Sequence, residues 1–305
     1  MKLVIATRRS RLALWQAEHI KHRLQQQRSN LAVELLPMST RGDELLEARL
    51  DQAGGKGLFV KELENALADG RAHLAVHSMK DMPAELPPGF SLAAITARED
   101  PRDALVSNRY DSVQAMPPGA VVGTSSLRRA AQLRAGNPGI EVRLLRGNVD
   151  TRLAKLDRGE YDAIVLAVSG LTRLGLEARI RARLPVEEVL PAPGQGALGI
   201  ETLSSRDELY ALLAPLADET TRICVQAERA VSRALGGSCT IPLGAYAEMT
   251  GATLRLRALV AAPDGKRIAR VDCEGHAGEP EALGRRAAGE LRAQGAAEIL
   301  AALDQ

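Results

Sequence analysis

The 305-residue chain is long enough for two or three domains with ample core, and 45% hydrophobic with 26% charged residues is an ordinary globular composition. A net charge of +2 and only 2% aromatic residues exclude general attraction to nucleic acid or membrane surfaces and single-strand binding by base stacking. No run approaches the roughly 18 apolar residues of a membrane span.

The apolar run Leu3-Val4-Ile5-Ala6 is too short for a signal peptide, and three cysteines without C-x-x-C spacing suggest neither a disulfide framework nor a zinc site. A monomer in a reducing cytoplasm is the expected setting. Residues 2–7 are predicted as a buried strand, and Ser10 as the cap of a helix to about residue 27, with apolar positions Leu12, Leu14, Trp15, Ala17 and Ile20. Residues 31–38 read as a second strand. Ser39-Thr40-Arg41-Gly42-Asp43 follows at its carboxyl end, where open α/β sheets place ligand loops. Gly54-Gly55-Lys56-Gly57 precedes a helix over about 60–69 but is no phosphate-binding P-loop, because Gly57 stands where Ser or Thr must follow the lysine.

A strand at 74–76 then ends in His77-Ser78-Met79-Lys80-Asp81-Met82-Pro83. After a strand at 90–97, residues 98–103 read as a crossing into a second β/α series. Its strands are expected at 104–107, 121–122, 141–145 and 163–166, and its helices after Ser125, Asn148 and Ser169. Residues 190–197, stiff at their prolines and open at their glycines, suit a hinge returning the chain to the first lobe. Beyond Pro215 come a helix over about 219–234, the loop Gly236-Gly237-Ser238-Cys239, three strand-like runs (243–249, 253–261, 267–274) and an Ala-rich helix. The expected fold is α/β: one β/α lobe from 1–98 with 200–216, a second from 99–199, and a small α+β domain from 217–305.

Chemistry concentrates at two helix starts, Val122-Gly123-Thr124-Ser125-Ser126-Leu127-Arg128-Arg129 and Leu145-Arg146-Gly147-Asn148-Val149-Asp150-Thr151-Arg152. Free N–H groups, hydroxyls and bidentate guanidiniums there make an anion site of open identity; solvent-facing helix arginines are the plain alternative. Of 40 basic residues 33 are arginine, the residue suited to planar carboxylate or phosphate recognition. Asp81, beside Lys80 and Ser78, is placed to stabilise a cation or shuttle protons, or else to cap a turn. His77 ends an apolar strand with no matching carboxylate in sight, so a core or hydrogen-bonding role is expected for it. Cys239 lies in a glycine loop as a candidate nucleophile or attachment point, whereas Cys224 and Cys273 read as packing.

Taken together, Ala6–Ser10, Thr40–Asp43, the 54–60 loop, Val76–Pro83, Glu99–Asp103, Gly123–Arg129, Leu145–Val149, Pro193–Ala197 and the 237–242 loop resemble the porphobilinogen deaminase (hydroxymethylbilane synthase) family over essentially the whole chain. The resemblance implies two lobes like type-II periplasmic binding proteins, with the active cleft between them. It also implies a third domain whose cysteine, by position Cys239, is thioether-linked to a dipyrromethane cofactor. The substrate implied is porphobilinogen. It loses ammonia to give an electrophilic azafulvene, and four head-to-tail additions followed by hydrolysis release a linear tetrapyrrole. Each pyrrole carries an acetate and a propionate, so four substrates bring about eight carboxylates needing cations.

Carried over by position, the cofactor-side contacts fall on Lys80, Ser78, Thr124, Ser126, Arg128, Arg129 and Arg146. The substrate-side contacts fall on Arg8, Ser10, Lys56, Arg152 and Arg173, and the catalytic carboxylate on Asp81. No metal is implied. Arg11, Ser238 and Gln52 depart from the family's usual residues, and Gln52 puts one cofactor-side contact in doubt. A non-catalytic two-lobed anion-binding protein is the competing reading; it needs neither Cys239 nor Asp81.

Overall fold

A computed structural model describes residues 2–40, 60–236 and 241–303. Lys56, Gln52, Ser238 and Cys239 therefore lie outside the described residues. The chain divides into two compact units, residues 1–99 with 197–222 and residues 100–196 with 223–305.

In the first unit, strand β1 (Lys2–Arg8) pairs in parallel with β2 (Ala32–Met38) and β3 (Leu74–Ser78). The run Leu-Val-Ile-Ala in β1 is apolar without alternation because both faces are covered, as in any central parallel strand. One face, with Leu3 and Ile5, packs on α1 (Arg11–Gln27); the other, with Ala6 and Ala75, packs on α2 (Lys61–Ala68). The buried stripe of α1 is Ala13, Gln16, Ala17, Ile20 and Leu24, so the helix is rotated from the expected face and Trp15 is exposed. Beyond β3 lie an antiparallel strand and then β4 (Phe90–Ile95). That antiparallel strand comes from residues 198–203, late in the chain, where the sequence predicted no element.

The second unit repeats this arrangement. Strands β5 (Asp103–Val106), β6 (Val121–Gly123), β7 (Glu141–Arg143), β8 (Ala163–Ala167) and β9 (Ala182–Leu184) form a sheet in the order β7-β6-β8-β5-β9. With β10 (Leu198–Leu203) named, the first sheet reads β2-β1-β3-β10-β4. Both sheets have three parallel strands, one antiparallel strand and a last edge strand, with the antiparallel strand supplied by a remote part of the chain. These are the two β/α series, each around its own sheet, that the sequence led us to expect. The sequence missed β9 as well as β10.

Helices α3 (Leu127–Gly136), α4 (Val149–Asp157) and α5 (Val168–Arg173) follow β6, β7 and β8. Ser126 is the cap of α3, which begins one residue later than expected, and Ser169 lies inside α5 rather than before it. The short α6 (Asp207–Leu213) belongs to the first unit, and α7 (Glu219–Ala234) leads into the small α+β part. There β11 (Leu243–Thr250), β12 (Thr253–Ala261) and β13 (Ile268–His276) form an antiparallel meander. Helices α8 (Pro280–Ala293) and α9 (Ala296–Ala301) follow, with a separate core built on Val231, Leu254, Leu256 and Leu291. Among the described residues no helix is long and apolar enough to cross a membrane.

Candidate active site

In each unit the predicted site residues follow the carboxyl ends of parallel strands, where helix N-termini and loop N–H groups converge. In the first unit Arg8 ends β1, Ser10 caps α1 by accepting from Ala13 N at 3.3 Å, and Ser78 ends β3. A single 3₁₀ turn, Met79–Asp81, then carries Lys80 and Asp81. Gln16 reaches up from α1 and donates from Nε2 to Ser78 Oγ at 2.8 Å, fixing the helix against the strand end. Arg8, Ser10, Gln16, His77, Ser78 and Asp81 line one cavity. Half-buried Asp81 thus shares a pocket with a guanidinium and two hydroxyls.

His77 is buried, as its apolar strand suggested, and it has the carboxylate that its own strand does not supply. Its Nε2 lies 2.9 Å from Oε2 of Glu201, whose side chain is fully buried on β10. Glu64 of α2 is the second buried carboxylate of this region. Burial, helped by the nearby Glu201 charge, raises its pKa, against smaller opposing effects of His77 and Lys61.

In the second unit β6 ends at Gly123, and Thr124 and Ser126 turn the chain into α3. Thr124 Oγ1 accepts from Ser126 N at 3.1 Å and Ser126 Oγ from Arg129 N at 3.4 Å, which leaves both hydroxyls their O–H to donate. Arg128 and Arg129 do not face solvent; they are 3% and 6% exposed. Both turn inward onto Asp103, which is fully buried on β5. Arg129 donates from Nε and Nη2 to Asp103 Oδ1 at 3.0 and 2.7 Å, and Arg128 Nη2 pairs with Oδ2 at 2.8 Å. Carbonyls take further donors: Leu190 O from Arg128 Nη1 at 2.6 Å, and Val165 O from Arg129 Nη1 at 3.1 Å. Gln195 Nε2 donates to the same Asp103 Oδ1 at 2.9 Å and to Pro101 O at 2.6 Å.

Burial works to raise the Asp103 pKa, but the two guanidiniums and the hydrogen bonds from Arg129 and Gln195 together hold it far below the carboxylate range. Burial lowers the Arg128 pKa, with Arg129 adding to the effect and Asp103 opposing it. Arg128 Nε is buried with no hydrogen-bond partner among the described residues.

The second helix start is built on Gly147 and Asn148. Gly147 has φ 114°, and a Cβ there would stand 2.7 Å from Thr151 Cγ2, so only glycine fits without strain. Asn148 caps α4, its Oδ1 accepting from Thr151 N at 2.9 Å. Half-buried Arg146 and Arg152 flank this cap, with Arg152 Nε donating to Gly147 O at 2.8 Å. Arg173, buried at the end of α5, donates from Nη2 to Gly196 O at 2.6 Å. The segment expected as a hinge is held at several points within this unit. Leu190 bonds Gln132 and Arg128, and Gly194 N donates to the buried Glu228 at 2.7 Å.

Sequence reasoning therefore located the strand-end positions but missed Glu201, Asp103, Gln195 and Gln16. Asp103 lay within a quoted motif, and its pairing with arginines 25 residues and more away left no local mark.

Two like-ordered sheets, each with cations and hydroxyls gathered past its parallel strand ends, define an α/β protein of two repeated β/α units. A family model described as "Porphobilinogen deaminase, dipyromethane cofactor binding domain" matches residues 3–211, and one described as "Porphobilinogen deaminase, C-terminal domain" matches residues 222–293. A curated porphobilinogen deaminase of Bordetella parapertussis is 59% identical over 302 residues, covering 99% of this chain and 96% of that one. Another, of Thiobacillus denitrificans, is 60% identical over 301 residues, covering 99% and 98%. Among solved structures, the periplasmic aliphatic sulphonate binding protein SsuA from Escherichia coli aligns with TM-score 0.43 and 13% identity, over 76% of this chain and 70% of that one. The chain belongs to the porphobilinogen deaminase family.

The residues present fit the family's dipyrromethane. A two-pyrrole group offers ring N–H donors and carboxylates. The first-unit cavity offers a carboxylate acceptor in Asp81 beside Arg8, Ser10 and Ser78. In the second unit two buried guanidiniums face one carboxylate, which leaves a surplus positive charge and one unused Nε donor.

Proposed function

We propose that this chain is a porphobilinogen deaminase (hydroxymethylbilane synthase), a cytoplasmic, monomeric transferase that binds no nucleic acid. It joins four porphobilinogen molecules head-to-tail on a dipyrromethane primer held at Cys239, releases ammonia at each addition, and frees the linear tetrapyrrole by hydrolysis. We further propose its division into domains 1–98 with 200–216, 99–199 and 217–305. The observation that carries the activity is Asp81 in one cavity with Arg8, Ser10 and Ser78. An anion-binding pocket alone gains nothing from a carboxylate, which repels its ligand.

When bound, the dipyrromethane supplies the free pyrrole carbon at which the chain grows. Asp81 accepts hydrogen bonds from pyrrole N–H groups, stabilises the positive charge that develops as the substrate amine departs, and supplies a proton to that amine. Arg8, Ser10, Lys56, Arg152 and Arg173 hold substrate acetates and propionates. Lys80, Ser78, Thr124, Ser126, Arg128, Arg129 and Arg146 hold those of the primer. Since Arg128 and Arg129 are already engaged by Asp103, their part is a fixed, pre-oriented field that needs no rearrangement as a carboxylate arrives.

The direct test supplies porphobilinogen to the purified protein. The expected outcome is equimolar ammonia release with accumulation of the linear tetrapyrrole. Binding without consumption is the outcome that favours the non-catalytic anion-binding reading, for which Asp81 and Cys239 have no task.

A further inference from the structure

A second titratable group shares the Asp81 cavity, and its surroundings are those of a proton-transfer residue rather than of a packed histidine. Strands β3 and β10 are antiparallel with His77 opposite Gly199 and Ala75 opposite Glu201. That register puts His77 and Glu201 diagonally adjacent on one face of the sheet. The 2.9 Å contact between Nε2 and Glu201 Oε2 is made with side chains only 4% and 0% exposed. A buried carboxylate on one ring nitrogen fixes the tautomer, because Nε2 carries the hydrogen and Nδ1 is left as the acceptor. Nδ1 has no hydrogen-bond partner among the described residues, and His77 lines the cavity that also holds Asp81. Gly199, opposite His77, keeps the turn close: a Cβ there would fall on Met79 Sδ, in the same turn as Asp81.

We propose that the Glu201–His77 pair is a second proton-handling device of this site, with His77 Nδ1 as the acceptor of the proton lost from the pyrrole carbon. The inference rests on the deaminase reading above. At each addition the pyrrole's electron pair forms the new C–C bond, and the C–N bond to the amine breaks with its electrons on nitrogen. The C–H pair returns to the ring as its proton passes to Nδ1, and the amine leaves as ammonia after taking a proton from Asp81. His77 then gives its proton up through solvent to Asp81, so a cycle consumes and releases none.

The charged groups facing the imidazole are Glu201 of β10, Glu64 of α2, Asp81 of the 3₁₀ turn and Arg8 of β1, with Lys61 beyond Glu64.

The experiment compares the holoenzymes of wild type, His77→Asn and Glu201→Gln, each first shown by intact mass to carry the same cofactor. His77→Asn is expected to lower kcat about 100-fold with little change in KM and to remove the acidic limb of the kcat pH profile. Glu201→Gln is expected to move that limb to lower pH, since losing the carboxylate makes the imidazole less basic. Nitrogen NMR of the wild type is expected to show His77 with Nε2 protonated and Nδ1 bare, a signal missing from His77→Asn and altered in Glu201→Gln. Should His77→Asn not fold, Glu201→Gln carries the test alone by its limb and its NMR signal. An unmoved acidic limb in Glu201→Gln overturns the proposal, as does a wild-type profile in His77→Asn. Absence of turnover in the wild type would instead sink the deaminase reading, so the two failures are distinguishable.

Discussion

At Asp103 one carboxylate serves two guanidiniums and a carboxamide, all within the second unit and all but closed to solvent. Removing one member of such a buried pair strands the others, so Asp103→Asn is expected to cost about 3–5 kcal/mol in denaturant unfolding. The sign of its pH dependence follows from the depressed folded-state pKa. The stabilisation is fully present above the unfolded carboxyl value of about 3.9 and is lost only as pH falls toward the much lower folded value. Wild type and Asp103→Asn should therefore keep a constant stability difference from pH 8 down to about pH 5 and converge only in strong acid; a difference that shrinks already near pH 6 contradicts the pairing. Asp81 makes a different prediction, because its place is in a turn at the cavity wall rather than in the core. Asp81→Asn should keep the wild-type mass and melting temperature and lose most turnover; an unchanged rate would leave Asp81 with only a turn-forming part.

Among the elements, the start of α4 shows how local chemistry serves the site. Asn148 caps the helix, Gly147 supplies the left-handed residue before it, and Arg146 and Arg152 emerge on either side. Asn148→Ala is expected to cost about 1 kcal/mol by thermal unfolding. Because the cap sets the approach of both arginines, it should also raise KM for porphobilinogen more than it lowers kcat. Equal effects on both constants would indicate general unfolding instead.

This start was legible in the sequence because its cause is local: a cap residue, a glycine and an apolar period all lie within a few positions. The same holds for β1, whose unbroken apolar run states its burial on both faces, and for α7, found over the expected 219–234. β10 was not legible, because its partners β3 and β4 are about a hundred residues earlier and its Glu201 is a charged residue in a fully buried position. With β10 missing, His77 lacked its carboxylate on paper. The face of α1 was misjudged for a related reason: Gln16 is buried by its bond to Ser78 on a distant strand, while Trp15 lies exposed and stacked on His19.

For the whole molecule, the repeated strand order explains why candidate site residues gather at strand ends twice. In both sheets the parallel strands deliver their carboxyl ends to one edge, and in both an antiparallel strand from a remote part of the chain completes the layer. Residues separated by more than a hundred positions thus become neighbours, which is why the order of motifs was readable but not their pairing. The family model covers residues 3–211 under the cofactor-binding description, the span that contains Ser78, Lys80, Asp81, Arg128, Arg129 and Arg146. The proposed anchor, Cys239, falls in the span matched by the C-terminal model. Cys239→Ala is expected to yield protein without the added mass and without turnover. The most direct measurement is the intact mass of the purified wild-type protein. The expected result is the sequence mass plus one dipyrromethane; a fully active protein at the unmodified sequence mass would contradict covalent attachment of the primer.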